Sequence, residues 1–329
     1  MGSAITGWGA ALPERVLDNA ELAAGLEVDD DWIRARTGIE SRHIAGKSDT
    51  ASSLATGAGA AALDRAGLEP QDIDTVIVAT STPDTPMPAS APLVQSALGI
   101  PQAAAFDLNA ACSGFLYGLA QAHALISADM SRRTLLCGAD LLSRLSDYSD
   151  VRSCVLFGDG AGAVVVERVE GPTRLGPFKL LSDGTRAPLL HVPVGDRFIR
   201  MQGREVYRHA VEGMTKVVQE VLADASLEVS DIDLLVAHQA NARIIEAVAA
   251  RLELTPSQAF LNIVRLGNTS AASIPLALVE AVETGRLEDD DVLIVTAFGA
   301  GFVWGAGAVR WGVRSREPET LVLAGDARV

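Results

Sequence analysis

The 329-residue chain predicts an α/β fold built from two related halves, and three observations point there. The first is an internal repeat: residues 63–74, LDRAGLEPQDID, match residues 222–233, LADASLEVSDID, at seven of twelve positions and an offset of 159. The second is that this offset carries further segments in the same order. LNAACSGFLYGLAQA lies over GNTSAASIPLALVEA, and RTLLCGA (133–139) over VLIVTAF (292–298). After a shortened connection, GAGAV at 160–164 recurs at 305–309. The third is the character of the strands. TVIVAT and LLVAHQ, which follow the two repeat segments, are unbroken apolar runs of the kind found in a sheet covered on both faces.

Each half therefore reads as a helix end, a turn and a buried strand. A helix, a second strand and a closing hairpin around a glycine-rich turn follow. No Pro-, Gly- or Ser-rich linker separates the halves, so the expected division is 1–167 and 168–314 within one body. The mixed composition of 168–210 predicts a loop-rich insertion, and 315–329 reads as a loosely held tail. The uncharged stretch Val292–Val309 is short and rich in glycine, so it reads as strand, turn and strand rather than a membrane span.

Composition narrows the function. Hydrophobic residues make up 48% and charged residues 21%, enough to bury a full core. A net charge of −15 argues against nucleic acid as a partner, and an acidic partner would need a local basic patch. The start of the chain lacks the pattern of a secretory signal. The three cysteines (Cys112, Cys137, Cys154) show no CxxC spacing, which predicts neither a disulfide framework nor a zinc site, and a cytoplasmic setting.

The halves differ in where they place polar residues. Cys112 precedes the long apolar helical pattern SGFLYGLAQAHAL, which puts its sulfur at a helix N-terminus whose field favours thiolate. His238 ends the strand LLVA, and Asn268 stands before the matching helix of the second half. Meeting at the junction of the halves, the three would suit covalent acyl transfer. Taken singly, each has a plainer reading: a buried small hydrophobe, a structural hydrogen-bonder and a helix cap. Cys137 and Cys154 read as apolar residues within strands. GDGAG at 158–162 lacks the lysine of a P-loop and the helix of a dinucleotide fingerprint, so its glycines read as packing of a tight turn.

Longer strings carry a resemblance. DWIRARTGIESRHIA (31–45), NAACSGFLYGL (109–119), FGDGAGAVVV (157–166), AHQANARII (237–245), LGNTSAASIPLAL (266–278) and AFGAGFVWGAGAVRW (297–311) closely resemble β-ketoacyl-acyl-carrier-protein synthase III. That family belongs to the thiolase-like superfamily. The resemblance implies a layered α-β-α-β-α body with a pseudo-twofold axis, and a homodimer. Thiolases would show a second cysteine near the C-terminus, and elongating condensing enzymes a second histidine where this chain has Asn268.

The resemblance also implies roles. Cys112 is expected to take an acyl group from an acyl-coenzyme A or acyl-carrier-protein thioester. His238 and Asn268 would then stabilise the enolate formed when a malonyl thioester loses carbon dioxide, with no metal or redox cofactor. The amides of Cys112 and Ala300 would form the oxyanion hole, and Phe298 would stand beside the cysteine and disfavour the malonyl carboxylate. Trp32 and Arg36 match residues that hold the coenzyme A nucleotide, while Asn241 and Gly203 match the tunnel for its pantetheine arm. Ser81, Leu142, Phe157 and Leu189 match the acyl pocket, with Met87 reaching across from a second subunit. Arg208, Arg243 and Arg251 match a docking patch for the acidic acyl carrier protein.

Three departures affect the nucleotide end: Val28 and Arg204 replace a threonine and an asparagine, and the stacking arginine is displaced by one position to Arg152. These keep open a priming synthase or acyltransferase of a polyketide-type pathway. A catalytically silent partner subunit is the reading from another class.

Overall fold

Unbroken apolar runs become strands covered from both sides, and the computed structural model, which describes residues 2–312, holds two such sheets. The first half runs β1 (Gly2–Ala11), β2 (Arg15–Asp18), α1 (Asn19–Ala23), α2 (Asp30–Thr37), β3 (Ser41–Ile44), α3 (Ala51–Ala66) and β4 (Thr75–Ala79). It continues with α4 (Ser90–Ala97), β5 (Ala104–Leu108), α5 (Gly114–Ser127), β6 (Arg133–Leu141), α6 (Val151–Cys154) and β7 (Asp159–Val169). The second opens with β8 (Leu175–Ser182), β9 (Leu190–His191), β10 (Arg200–Met201), α7 (Gly203–Ala225) and β11 (Leu234–Ala237). It closes with α8 (Ala242–Arg251), α9 (Ile263–Leu266), α10 (Ser273–Glu283), β12 (Val292–Gly299) and β13 (Val303–Arg310). The tail expected at 315–329 lies outside the described residues.

The two sheets share one topology. The first has the order β1-β7-β6-β4-β5, the second β8-β13-β12-β11. In each, the first two pairings are antiparallel and the next is parallel. Helices α3 and α4 cover the outer face of the first sheet, and α7 and α8 share a buried cluster with the strands of the second. Between the sheets lie α5 and α10, the helices that follow Cys112 and Asn268, and each touches strands of both halves. Five layers result, α-β-α-β-α, a thiolase-like fold.

The central layer explains why α5 and α10 are apolar nearly all round. Phe115, Leu116, Leu119, Ile274, Ala277 and Leu278 share one buried cluster with Ile77, Leu136, Val236 and Val295 from the two sheets. α10 has almost no face left for water, while α5 keeps only a narrow one at Gln121 and Ala124, so the one-sided pattern of a surface helix is largely lost.

Three local expectations change. The segment 168–210 is more regular than its composition predicts, because β8 pairs along its length with β13 and α7 already begins at Gly203. The glycines of GAGAV sit inside strands rather than in a tight turn: a side chain at Gly162 in β7 would lie 2.8 Å from Pro275 Cβ, where α10 crosses the sheet. Cys154 lies in the short helix α6, not in a strand, whereas Cys137 is buried in β6 as expected.

One close approach positions everything at the axis. A Cβ at Gly138 in β6 would overlap Ala271 O, at the entrance to α10. The Gly138→Ala variant is therefore expected to lose about 1–3 kcal/mol in urea unfolding. Gly25→Ala, where nothing lies within 4 Å, should stay within about 0.5 kcal/mol of the parent.

Candidate active site

Cys112 sits in the single turn Ala111–Ser113 that leads into α5, and Asn268 lies just before the matching turn Ser270–Ala272 that leads into α10. The residue before each helix entrance has a left-handed backbone: Ala111 with φ 48° and Ser270 with φ 53°, 159 positions apart. The repeat thus duplicates even this local strain, which non-glycine residues adopt only when their surroundings demand it. The Cys112 amide faces Gly299 at the end of β12, where a side chain would come within 2.9 Å of it. Glycine there leaves a backbone donor uncovered.

His238 follows β11 and is buried, its amide bonded to Thr296 O at 2.8 Å. Its Nδ1 meets Ser273 Oγ at 2.7 Å, and that oxygen also accepts the Gln239 amide at 3.3 Å. Asn268 is held through its own backbone, N to Leu156 O at 2.8 Å and O from Gly158 N at 3.0 Å. Its side-chain Oδ1 accepts the Ser270 amide at 2.9 Å. The carboxamide's remaining group, Nδ2, is left to donate into the cavity.

Burial governs the charges. It pushes the Cys112 thiol up to about 12, against a hydrogen bond from Ser270 Oγ at 3.4 Å and reinforced by the Asp140 carboxylate. The helix N-terminus was expected to favour thiolate, and the Ser270 hydroxyl acts in that sense, whereas burial favours the neutral thiol. Burial likewise drops the His238 imidazole to about 3, so it is neutral.

Cys112, His238, Asn268, Phe298 and Ala300 line one cavity of about 790 Å³. Ser81, Leu142 and Phe157 line the same cavity, as do Trp32, Arg36, Arg152, Asn241 and Gly203. Leu189 does not join them. It ends a helical turn and packs under α7, and its neighbour Leu190 faces Leu142 and Phe157 instead, together with Ile199. Met87 is 86% exposed and outside the cavity of its own chain. Of the three arginines expected at a docking patch, Arg243 lines the cavity, Arg208 is exposed and paired to Glu205 at 2.5 Å, and Arg251 is exposed at the far end of α8.

At the expected nucleotide end, the Arg36 guanidinium lies 4.1 Å over the Trp32 ring, and Asn241 Nδ2 donates to Arg36 O at 3.0 Å. Arg152 is 76% exposed and held by Asp150 through two bonds of 2.8 Å. Among the described residues, no group of three or more His, Cys, Asp and Glu side chains could hold a metal ion. No helix among them is long and apolar enough to cross a membrane.

Sequence reading missed Ser270, Ser273 and Asp140. A signal was present: LGNTSAASIPLAL places hydroxyls in a stretch of otherwise small or apolar residues, and Asp140 is the single charge in the buried run TLLCGADLL.

Comparison with known proteins agrees with this geometry. Residues 106–184 match the family model described as 3-oxoacyl-[acyl-carrier-protein (ACP)] synthase III, and residues 222–311 that of its C-terminal part. The chain is 46% identical over 323 residues to the β-ketoacyl-[acyl-carrier-protein] synthase III of Roseiflexus sp., covering 94% of this chain and 98% of that protein. The crystal structure of the Pseudomonas aeruginosa enzyme, FabH, superposes with a TM-score of 0.91 at 44% identity, covering 96% of this chain and all of that one. The priming β-ketosynthase of the R1128 polyketide pathway reaches the same TM-score at 33% identity, covering 94% and 96%. On sequence, fold and cavity alike, the chain belongs to the 3-oxoacyl-[acyl-carrier-protein] synthase III family of condensing enzymes.

Proposed function

We propose that Cys112 is acylated by a starter thioester and that His238 and Asn268 then generate the carbon nucleophile from malonyl-acyl-carrier protein. The observation that carries this reading is that all three line one cavity, two of them with donors free to face a developing charge. The Ser273 hydroxyl already accepts from Gln239, so its proton is available to His238 Nδ1, and Nε2 then keeps the imidazole proton. Nε2–H and Asn268 Nδ2–H converge on the enolate oxygen as the malonyl group loses carbon dioxide. The electron pair of the broken carbon–carbon bond becomes the nucleophile, so the step calls on no metal or redox group. The carbanion attacks acyl-Cys112, whose oxyanion is held by the amides of Cys112 and Ala300. Collapse then releases a β-ketoacyl thioester. Phe298 shields the cysteine from the malonyl carboxylate.

Arg243 at the cavity, with Arg208 and Arg251 on α7 and α8, forms the local basic patch that an acidic carrier protein needs on a chain of net charge −15. The donor is an acyl-coenzyme A or an acyl-carrier thioester, its arm reaching Cys112 past Asn241 and Gly203, with Trp32, Arg36 and Arg152 at the nucleotide end. A homodimer completes the acyl pocket. β5 is an edge strand of the first sheet, and Met87 projects from the same half into solvent, free to enter a neighbour. Three free cysteines and carrier-bound substrates suit the cytoplasm. Fatty-acid synthesis is favoured over polyketide priming, because curated β-ketoacyl-[acyl-carrier-protein] synthases III are 45–48% identical to this chain and the priming ketosynthase 33%.

Mass spectrometry should show an acyl adduct on the parent enzyme and none on Cys112→Ala. His238→Ala and Asn268→Ala are each expected to keep the adduct and to lose about 10²–10³ in malonyl decarboxylation. Loss of labelling in all three variants would contradict the division of roles. Because burial keeps His238 neutral down to about 3, decarboxylation should show no inflection near the ordinary histidine value of 6.5. An imidazole that charged there would produce an acid limb. Sedimentation equilibrium is expected to return twice the 34.4 kDa chain mass, and a monomer would remove Met87 from the acyl pocket.

A further inference from the structure

The repeat places an asparagine before each central helix, and the two are fastened differently. Asn109 Oδ1 accepts the Ala111 amide at 3.1 Å, and Asn268 Oδ1 accepts the Ser270 amide at 2.9 Å, the same bond 159 positions later. Both asparagines line the catalytic cavity, yet Asn109 is exposed and Asn268 is buried. Among the described residues, the Ser270 amide supplies the one hydrogen bond that reaches the Asn268 carboxamide. Whatever holds the turn of Ser270 and Ala271 therefore aims that carboxamide.

Asp140 holds it. This residue of β6 is buried and stands at the repeat position of Gly299. Where Gly299 leaves the Cys112 amide uncovered, the Asp140 carboxylate covers the amide of Ala271, the counterpart of Cys112. Its two oxygens have separate tasks. Oδ1 accepts from Ser81 N at 2.7 Å, Thr82 Oγ1 at 3.0 Å and Thr80 Oγ1 at 3.2 Å, all in the loop after β4. Oδ2 accepts from Ala271 N at 3.2 Å, at the entrance to α10. Ser270, with its left-handed backbone, is thus pinned between two amide bonds: its own to Asn268 and that of Ala271 to Asp140. The first half has no such brace, because glycine occupies the place of the carboxylate.

We propose that Asp140 is a positioning residue for the malonyl step, acting through the Ser270–Ala271 turn to hold the Asn268 carboxamide with Nδ2 toward the enolate oxygen. The inference rests on Asn268 stabilising that enolate, and it adds the group that keeps Asn268 aimed. The two halves use the same turn in opposite ways. In the first, the Cys112 amide stays open to receive a substrate oxyanion. In the second, the carboxamide does the work, and the equivalent amide is spent on rigidity. A donor fixed beforehand need not reorganise as charge develops, which is where such a brace acts on rate rather than on substrate affinity.

Asp140→Asn separates the two tasks. Ser81 N–H can only donate, so the carboxamide oxygen of the variant stays with residues 80–82 and its NH2 group is turned against the Ala271 N–H, donor facing donor. Asp140→Gly, which copies the Gly299 arrangement of the first half, removes both links and serves as the second variant should the first not fold. The full chain is assayed for single-turnover acylation of Cys112 by acetyl-coenzyme A, whose amplitude counts the folded enzyme, and for decarboxylation of malonyl-acyl-carrier protein. In either variant kcat for decarboxylation is expected to fall about 10–100-fold with KM within about twofold, while the acylation rate stays within about threefold of the parent. In an Asn268→Ala background the same Asp140 changes should cost less than about threefold further, since the group they position is already gone. Equal losses with and without Asn268, parent-like decarboxylation in both variants, or an equal fall in acylation would overturn the proposal and leave Asp140 a structural role. Parent-like decarboxylation in Asn268→Ala alone would instead overturn the enolate role beneath it.

Discussion

Two backbone approaches across the pseudo-twofold axis hold the site together: β6 at Gly138 against Ala271 O, and β12 at Gly299 against the Cys112 amide. In each, a strand of one half lies against the entrance of the central helix of the other. A side chain at either position would force the sheets and helices apart. Because neither has one, the N-termini of α5 and α10 converge, and Cys112 and Asn268 open into the same cavity. The apolar central layer follows from the same geometry, since helices held between two sheets pack mostly against apolar strand residues.

That enclosure sets the chemistry. Helix N-termini favour anions by about 0.3–1 kcal/mol in exposed settings, whereas desolvation of a buried group shifts its titration by several units. Burial pushes the Cys112 thiol up and the His238 imidazole down, each toward its neutral form. Donors such as the Cys112 amide and Asn268 Nδ2 are already oriented, so charge appears only where and when substrate supplies it.

The mouth of the cavity is organised by a different buried charge. Arg42 is fully buried and donates to Leu17 O at 3.3 Å, Asn19 Oδ1 at 2.8 Å and Val155 O at 2.8 Å. Burial lowers it to about 10, a value at which the guanidinium still carries its charge at neutral pH. It joins the β2–β3 cap, which bears Trp32 and Arg36, to α6, which bears Arg152. The two sides of this mouth, one bearing Trp32 and Arg36 and the other Arg152, are thus tied by one side chain, while Arg152 itself is occupied by Asp150.

The α/β class, the doubling of the fold and the residues Cys112, His238 and Asn268 were all legible in the chain. A repeat leaves its period in the sequence, and polar residues stand out against apolar strand ends. The wall of the acyl pocket was not legible in the same way. Leu190 rather than Leu189 faces Phe157 because a helical turn ends between them, and a one-residue change of facing depends on where neighbouring elements pack. Nor could the sequence weigh burial against the helix field at Cys112, which depends on how much water the assembled layers exclude, or join Asp140 to the Ala271 amide, 131 residues away. Local pattern records which residues must be buried together; which atoms then touch, and what charge they bear, is decided only when the two halves close on each other.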